Sequence, residues 1–85
     1  MNNLIMRKIG VTDSYQPLVA GRLVCSGTIS ALPGNVGEVF FRGDDGSDVP
    51  WLAGEWHRVV SVDLSEVFVK GIPGDAVTII GGTWE

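Results

Sequence analysis

Glu55-Trp56-His57-Arg58-Val59-Val60-Ser61-Val62-Asp63-Leu64-Ser65-Glu66-Val67-Phe68-Val69-Lys70 is the one long stretch without glycine or proline, and its reading decides the fold. A helical face can be drawn through Trp56, Val59, Val60, Leu64, Val67 and Phe68. A strand face can be drawn through Trp56, Val60, Val62 and Leu64, interrupted only by Arg58. Five of the sixteen residues are valine, and β-branched side chains lose rotamer freedom in a helix. The stretch therefore reads as two strands. Asp63-Leu64-Ser65-Glu66 is the corner between them, with Asp63 capping a single helical turn.

Working outward, residues 18–32 alternate. Val19, Gly21, Leu23, Cys25, Gly27, Ile29 and Ala31 mark one face, with Ser26, Thr28 and Ser30 on the other. Period two with one apolar face is the pattern of a half-exposed antiparallel strand. Gly21 and Gly27 inside it predict bulges or bends, so one long bent strand or two shorter ones fit. Turn clusters follow at Leu32–Gly37, Gly43–Asp48, Leu52–Glu55 and Gly71–Asp75, and Pro17 suits the first residue of a strand. Short strands are expected at Glu38–Arg42 and at Ala76–Ile80, the latter ending before Gly81-Gly82. The sum is six to seven short strands with turns every 8–12 residues, an all-β antiparallel sandwich or jelly-roll-like barrel. Residues 1–14 are an N-terminal arm or edge strand, and 15–85 form a single β domain.

Composition agrees. The chain has 85 residues, so one domain is the reasonable count. Valine and isoleucine number 18 against 6 leucines and 4 alanines, which favours strands over helices. A chain of this length buries only about 60% of its unfolded surface, and neither a disulfide nor an evident metal site supplements that core. Subunit contacts are the expected support. Net charge is −4, with the six Lys and Arg scattered. Clustered positive charge is what nucleic-acid binding needs, so it is not expected. No apolar run approaches the roughly 18 residues of a membrane span. Residues 1–8 lack the apolar core of a signal peptide, and the expectation is a protein made in the cytoplasm.

Chemistry-bearing residues are few. Asp44, Asp45 and Asp48 gather three carboxylates in five residues, but without the spacing of a calcium loop, and read as an exposed acidic turn. Arg42-Gly43-Asp44 spells an integrin-type tripeptide, a match that chance supplies often. Glu55 and His57, at i and i+2, share a strand face and could start a metal or acid–base site, yet no further ligand is near in sequence. Cys25 reads as a small buried hydrophobe. No Gly-x-Ser-x-Gly elbow accompanies the serines. No catalytic residue, cofactor or metal is expected, and the chain reads as a non-enzyme. Trp51 and Trp56 flank a turn and fit three roles: core, subunit interface or sugar-stacking platform.

One resemblance bears on function. Leu23–Ile29, then Asn35-Val36-Gly37-Glu38-Val39-Phe40-Phe41, Leu52-Ala53-Gly54-Glu55 and the run from Asp63 to Val77 resemble, in that order, small virion structural proteins of tailed bacteriophages, of the head-decoration or minor capsid kind. It covers roughly residues 16–84 and rests on turn glycines and strand valines. The resemblance implies a β-rich homo-oligomer, often a trimer, attached to the virion, without saying where on it. The expected partners are further copies and other virion proteins such as the major capsid protein, and no membrane or nucleic-acid partner is expected. Leu4, Ile5, Met6 and Ile9 in the N-terminal segment, with Trp51 and Trp56, are the candidate interface residues. The alternatives are a tail, baseplate or fibre-associated virion protein and a carbohydrate-binding module.

Overall fold

The computed structural model describes residues 2–84. Eight strands run β1 (Asn2–Gly10), β2 (Gln16–Pro17), β3 (Val24–Ala31), β4 (Val39–Arg42), β5 (Val49–Trp51), β6 (Trp56–Asp63), β7 (Phe68–Lys70) and β8 (Ala76–Trp84), with one 3-10 turn at Leu64–Glu66. They form two four-stranded antiparallel sheets, ordered β1-β8-β3-β6 and β2-β7-β4-β5. The first sheet contributes Ile5, Cys25, Ile29, Ala31, Val77 and Ile79 to the core, and the second contributes Val39, Phe41, Trp51 and Val69. This is a small all-β sandwich. The stretch 55–70 does make two strands around a single turn.

Among the described residues, β4 and β5 are the only consecutive strands that share a sheet; every other connection changes layer. Layer changes leave backbone groups without ladder partners, and those groups must be satisfied locally. Two aspartates do this at opposite corners. Asp63 Oδ1 accepts from Leu23 N (3.1 Å), Ser65 N (3.1 Å) and Ser65 Oγ (2.8 Å), and Leu64 N donates to Leu23 O at 2.9 Å. That fastens the β6–β7 corner to the entrance of β3. The Ser65 hydroxyl first, and the Leu23 amide next, hold the Asp63 carboxyl below its ordinary value of 3.8.

The second clasp is at Asp75, which is 4% exposed. Its two oxygens accept from Val36 N and Gly37 N, each at 2.9 Å. Beside it, Asn35 bonds both backbone groups of Ala76, accepting from its N–H and donating to its C=O at 3.0 Å. A Cβ on Gly37 would stand 2.4 Å from Ile72 Cδ1, so a side chain there would require the half-exposed Ile72 side chain to turn aside. Asp75 itself closes the turn that begins at Ile72 (Asp75 N to Ile72 O, 3.0 Å), with Pro73 second and Gly74 third at φ 103°. That is the residue order a type II turn demands.

Four sequence expectations are corrected. Gly81 and Gly82 do not follow the last strand but lie inside β8, which runs on to residue 84. Gly81 faces Gly27 of β3, and a Cβ on Gly27 would sit 2.2 Å from Ile80 O. These glycines mark close strand approach instead of a turn. Residues 18–23 are not strand; they bend while burying Leu18 and Val19. Among the described residues strands number eight rather than six or seven: Gln16-Pro17 pairs with β7, and Val49-Pro50-Trp51 pairs with β4 as an edge strand, where proline is tolerated.

The fourth correction is the face of β6. Gly27 pairs with Val59 and Cys25 with Val62, so Val60 and Ser61 together stand opposite Ser26. This is a β-bulge, with Ser61 at φ 51° and its N–H bonded to Ser26 Oγ at 2.8 Å. The extra residue resets the alternation. Val59 and Val62 both pack on the core, while Val60 is 72% exposed. Trp56, Val60, Val62 and Leu64 therefore do not share one face.

Two outcomes are expected. Gly27→Ala should lose about 3 kcal/mol in urea denaturation, since backbone must move, whereas Gly82→Ala, with its Cβ 3.6 Å from Asn3 O, should change stability by less than about 0.5 kcal/mol. Asp63 stabilises the fold fully above pH 3.8, and this contribution is lost as pH falls through its lowered folded value. Melting temperatures between pH 5 and 2 should consequently fall less steeply for Asp63→Asn than for the wild type.

Candidate functional site

Strand alternation divides the first sheet into a core face and an outer face. On the outer face, the register aligns Leu4, Gly82 and Ser26 in one row, Met6, Ile80, Thr28 and Arg58 in the next, and Lys8, Thr78, Ser30 and Trp56 in a third. Leu4 is 72% exposed, Met6 65% and Ile80 53%, and they adjoin on the two neighbouring strands β1 and β8. Trp56 (62%) and Val60 lie exposed at the far side on β6. The hydroxyl residues of β3 separate the two apolar groups. Single exposed apolar residues are ordinary, whereas a contiguous group of them is a candidate interaction surface.

The candidate interface residues are thus divided by the fold. Leu4 and Met6 are exposed on the outer face of β1, whereas Ile5 is buried and Ile9 packs against the core. Trp56 is on the outer face of the first sheet. Trp51 belongs to the second sheet, is 9% exposed, and its ring centroid is 3.9 Å from that of Phe41. The two tryptophans therefore do not form one platform.

Trp51 also walls a cleft of about 240 Å³ between the sheets on the β5/β6 side, lined by Ile29, Phe41, Val49, Val59 and Val67. His57 meets the Trp51 ring edge-on, with centroids 4.7 Å apart, and its Nε2 is 2.6 Å from Glu55 Oε2. Glu55 Oε1 accepts from Leu52 N at 3.1 Å. The imidazole first, and the Leu52 amide next, hold the Glu55 carboxyl below its ordinary value of 4.5. Glu55 and His57, which the i, i+2 spacing placed on one face, do meet, and Glu55 closes the Leu52–Glu55 turn through both backbone and side chain. Among the described residues, no three His, Cys, Asp or Glu side chains gather as a metal site would require.

A second cluster escaped the sequence reading. The Tyr15 ring has the Arg42 guanidinium 4.0 Å and the Lys70 ammonium 4.8 Å from its centroid, and its hydroxyl donates to Asp48 Oδ1 at 2.6 Å. Arg42 Nη2 meets the same oxygen at 2.7 Å. Tyr15 first, then Arg42, lower the Asp48 carboxyl below 3.8. Asp45 accepts from Ser47 N at 2.9 Å. The acidic turn is thus folded on protein donors, and Arg42 of the Arg-Gly-Asp triplet is engaged within the chain. Residues 27, 33 and 55 positions from Tyr15 had no local pattern to connect them.

Comparison with protein-family models, with curated proteins and with solved structures finds no match to this chain. The virion resemblance rests on the sequence motifs alone.

The two tryptophans should separate in experiment. Trp51→Ala removes a buried ring and should cost about 3–5 kcal/mol. Trp56→Ala should leave the urea midpoint within the equivalent of about 0.5 kcal/mol.

Proposed function

We propose that this chain is a non-enzymatic structural subunit that adds to the surface of a larger protein assembly and associates with copies of itself. The observation that carries the reading is the exposed apolar group Leu4, Met6 and Ile80 on the outer face of the first sheet, on and beside its terminal strand β1. A small sandwich that leaves such residues in water gains stability when a partner covers them. The sequence resemblance supplies the assembly: the virion of a tailed bacteriophage, with the chain decorating or stabilising the capsid as a homo-oligomer and the major capsid protein as its neighbour. Each copy would add interface free energy across neighbouring capsomers. The net charge of −4 suits a solvent-facing position better than one against packaged DNA. On this reading the subunit is made in the bacterial host and resides in the virion, with no cofactor.

A tail, baseplate or fibre position would use the same surface, and labelled-antibody microscopy distinguishes it from the head. The carbohydrate reading has one favourable observation, the exposed indole of Trp56, and it must work with that single ring because Trp51 is packed on Phe41.

Mass spectrometry of purified virions from the culture that makes the chain is the decisive test. The expected result is the chain in stoichiometric amount, released when Leu4→Lys and Met6→Lys are combined. Absence from virions, together with glycan binding abolished by Trp56→Ala, would replace the structural role with the sugar-binding one.

A further inference from the structure

We infer that the chain pairs with a second copy of itself through β1, edge to edge and antiparallel, so that two first sheets join into one continuous eight-stranded sheet. The inference rests on the self-association reading above and names its geometry.

β1 is terminal in its sheet, and its outer side carries no ladder partner among the described residues. An edge of nine residues is long, and the charges that blunt it, Arg7 and Lys8, sit in its C-terminal half. β1 carries Arg7 and Lys8 but no acidic residue, so the edge is basic on an acidic protein. Most ways of pairing it with its own copy would set like charges together or charges against apolar side chains. Centred on Leu4, the pairing would span only residues 2–6 and set Asn3 against Ile5; centred on Ile5, it spans residues 2–8 and does neither. With Ile5 opposite Ile5 of the second copy, Leu4 faces Met6 and Arg7 faces Asn3, on both sides of the two-fold axis. A shift of two residues along one strand, centring on Met6, would put Leu4 against Lys8 and Ile5 against Arg7. A further shift, centring on Arg7, would oppose the two guanidinium groups. Directly opposed like charges destabilise a sheet, whereas matched apolar pairs stabilise it.

The same register completes the apolar group. Leu4 and Met6 alternate with Ile5, so they lie on the outer face while Ile5 faces the core. Pairing β1 strands brings Leu4, Met6 and Ile80 of both copies into one band across the junction. No residue of the core has to move. The contact uses a symmetric patch, as a two-fold interface requires, and strand addition supplies backbone hydrogen bonds that the edge lacks.

Sedimentation velocity of the full chain from 5 to 200 μM, with melting curves of each variant as the check on folding, is the test. A dimer is expected. Asn3→Asp places a carboxylate opposite Arg7 of the second copy at two equivalent positions and should tighten the dimer roughly two- to thirtyfold. Asn3→Lys should loosen it by a similar factor, and adding Arg7→Glu to Asn3→Lys should restore it. Residue 3 is exposed, so these changes leave the core untouched. A trimer, or a dimer indifferent to residue 3, overturns the β1 pairing while leaving self-association in place. A folded monomer throughout the range overturns the pairing as well; if it still cosediments with capsids, the structural-subunit reading survives.

Discussion

Asp75 is the residue on which the two layers depend. Its carboxylate takes the amides of Val36 and Gly37, its carbonyl takes Val11 N at 3.0 Å, and its own amide closes the Pro73-Gly74 turn. One residue thus gathers the exit of β1, the β3–β4 crossover and the entrance to β8. Removing a carboxylate from water is costly, and the cost is offset when donors meet its oxygens in fixed geometry. Here two backbone amides do so, with Asn35 bonding the adjacent peptide. A sandwich whose chain changes layer at almost every connection needs such fastenings, because its corners cannot draw on ladder hydrogen bonds.

Asp63 plays the corresponding part at the other corner, pinning β6–β7 to Leu23. Between these clasps β3 and β8 run side by side, their approach set by Gly27 facing Gly81. β8 is then held from both sides, by β1 and β3, and its outer face presents Ile80 next to Met6. The surface proposed to bind partners thus combines the terminal strand β1 with β8, a strand paired on both sides.

The β6 bulge shows how a local irregularity redistributes function. Without the extra residue, Val59 and Ser61 would share the inner face and Val62 would point outward. With it, Val59 and Val62 both reach the core. Trp56 and Val60 stay in solvent, and His57 turns in to meet Trp51. Ser61 adopts a backbone angle that side chains rarely favour, and the Ser26 hydroxyl supports it. The bulge changes the face of the residues after it, Val62 above all, while Trp56, His57 and Val59 keep the alternation set by their pairing with Ser30, Ile29 and Gly27.

Strand content, turn positions and the Asp63 cap were legible in the sequence, because β-branched composition, period-two alternation and Gly/Pro punctuation act over a few residues. So was the buried state of Cys25, from its apolar setting in an alternating strand. The Asn35-Val36-Gly37 and Gly74-Asp75-Ala76 motifs were visible too, but only as turns; that they dock on each other depends on a separation of about forty residues. Gly81-Gly82 misled for the same reason, since a glycine demanded by a facing backbone looks locally like one demanded by a turn. The Tyr15, Arg42, Asp48 and Lys70 cluster and the separation of Trp51 from Trp56 belong to the tertiary structure alone. Local chemistry sets what each segment can form. Which side chains meet across the layers depends on register, and a single bulge can invert it.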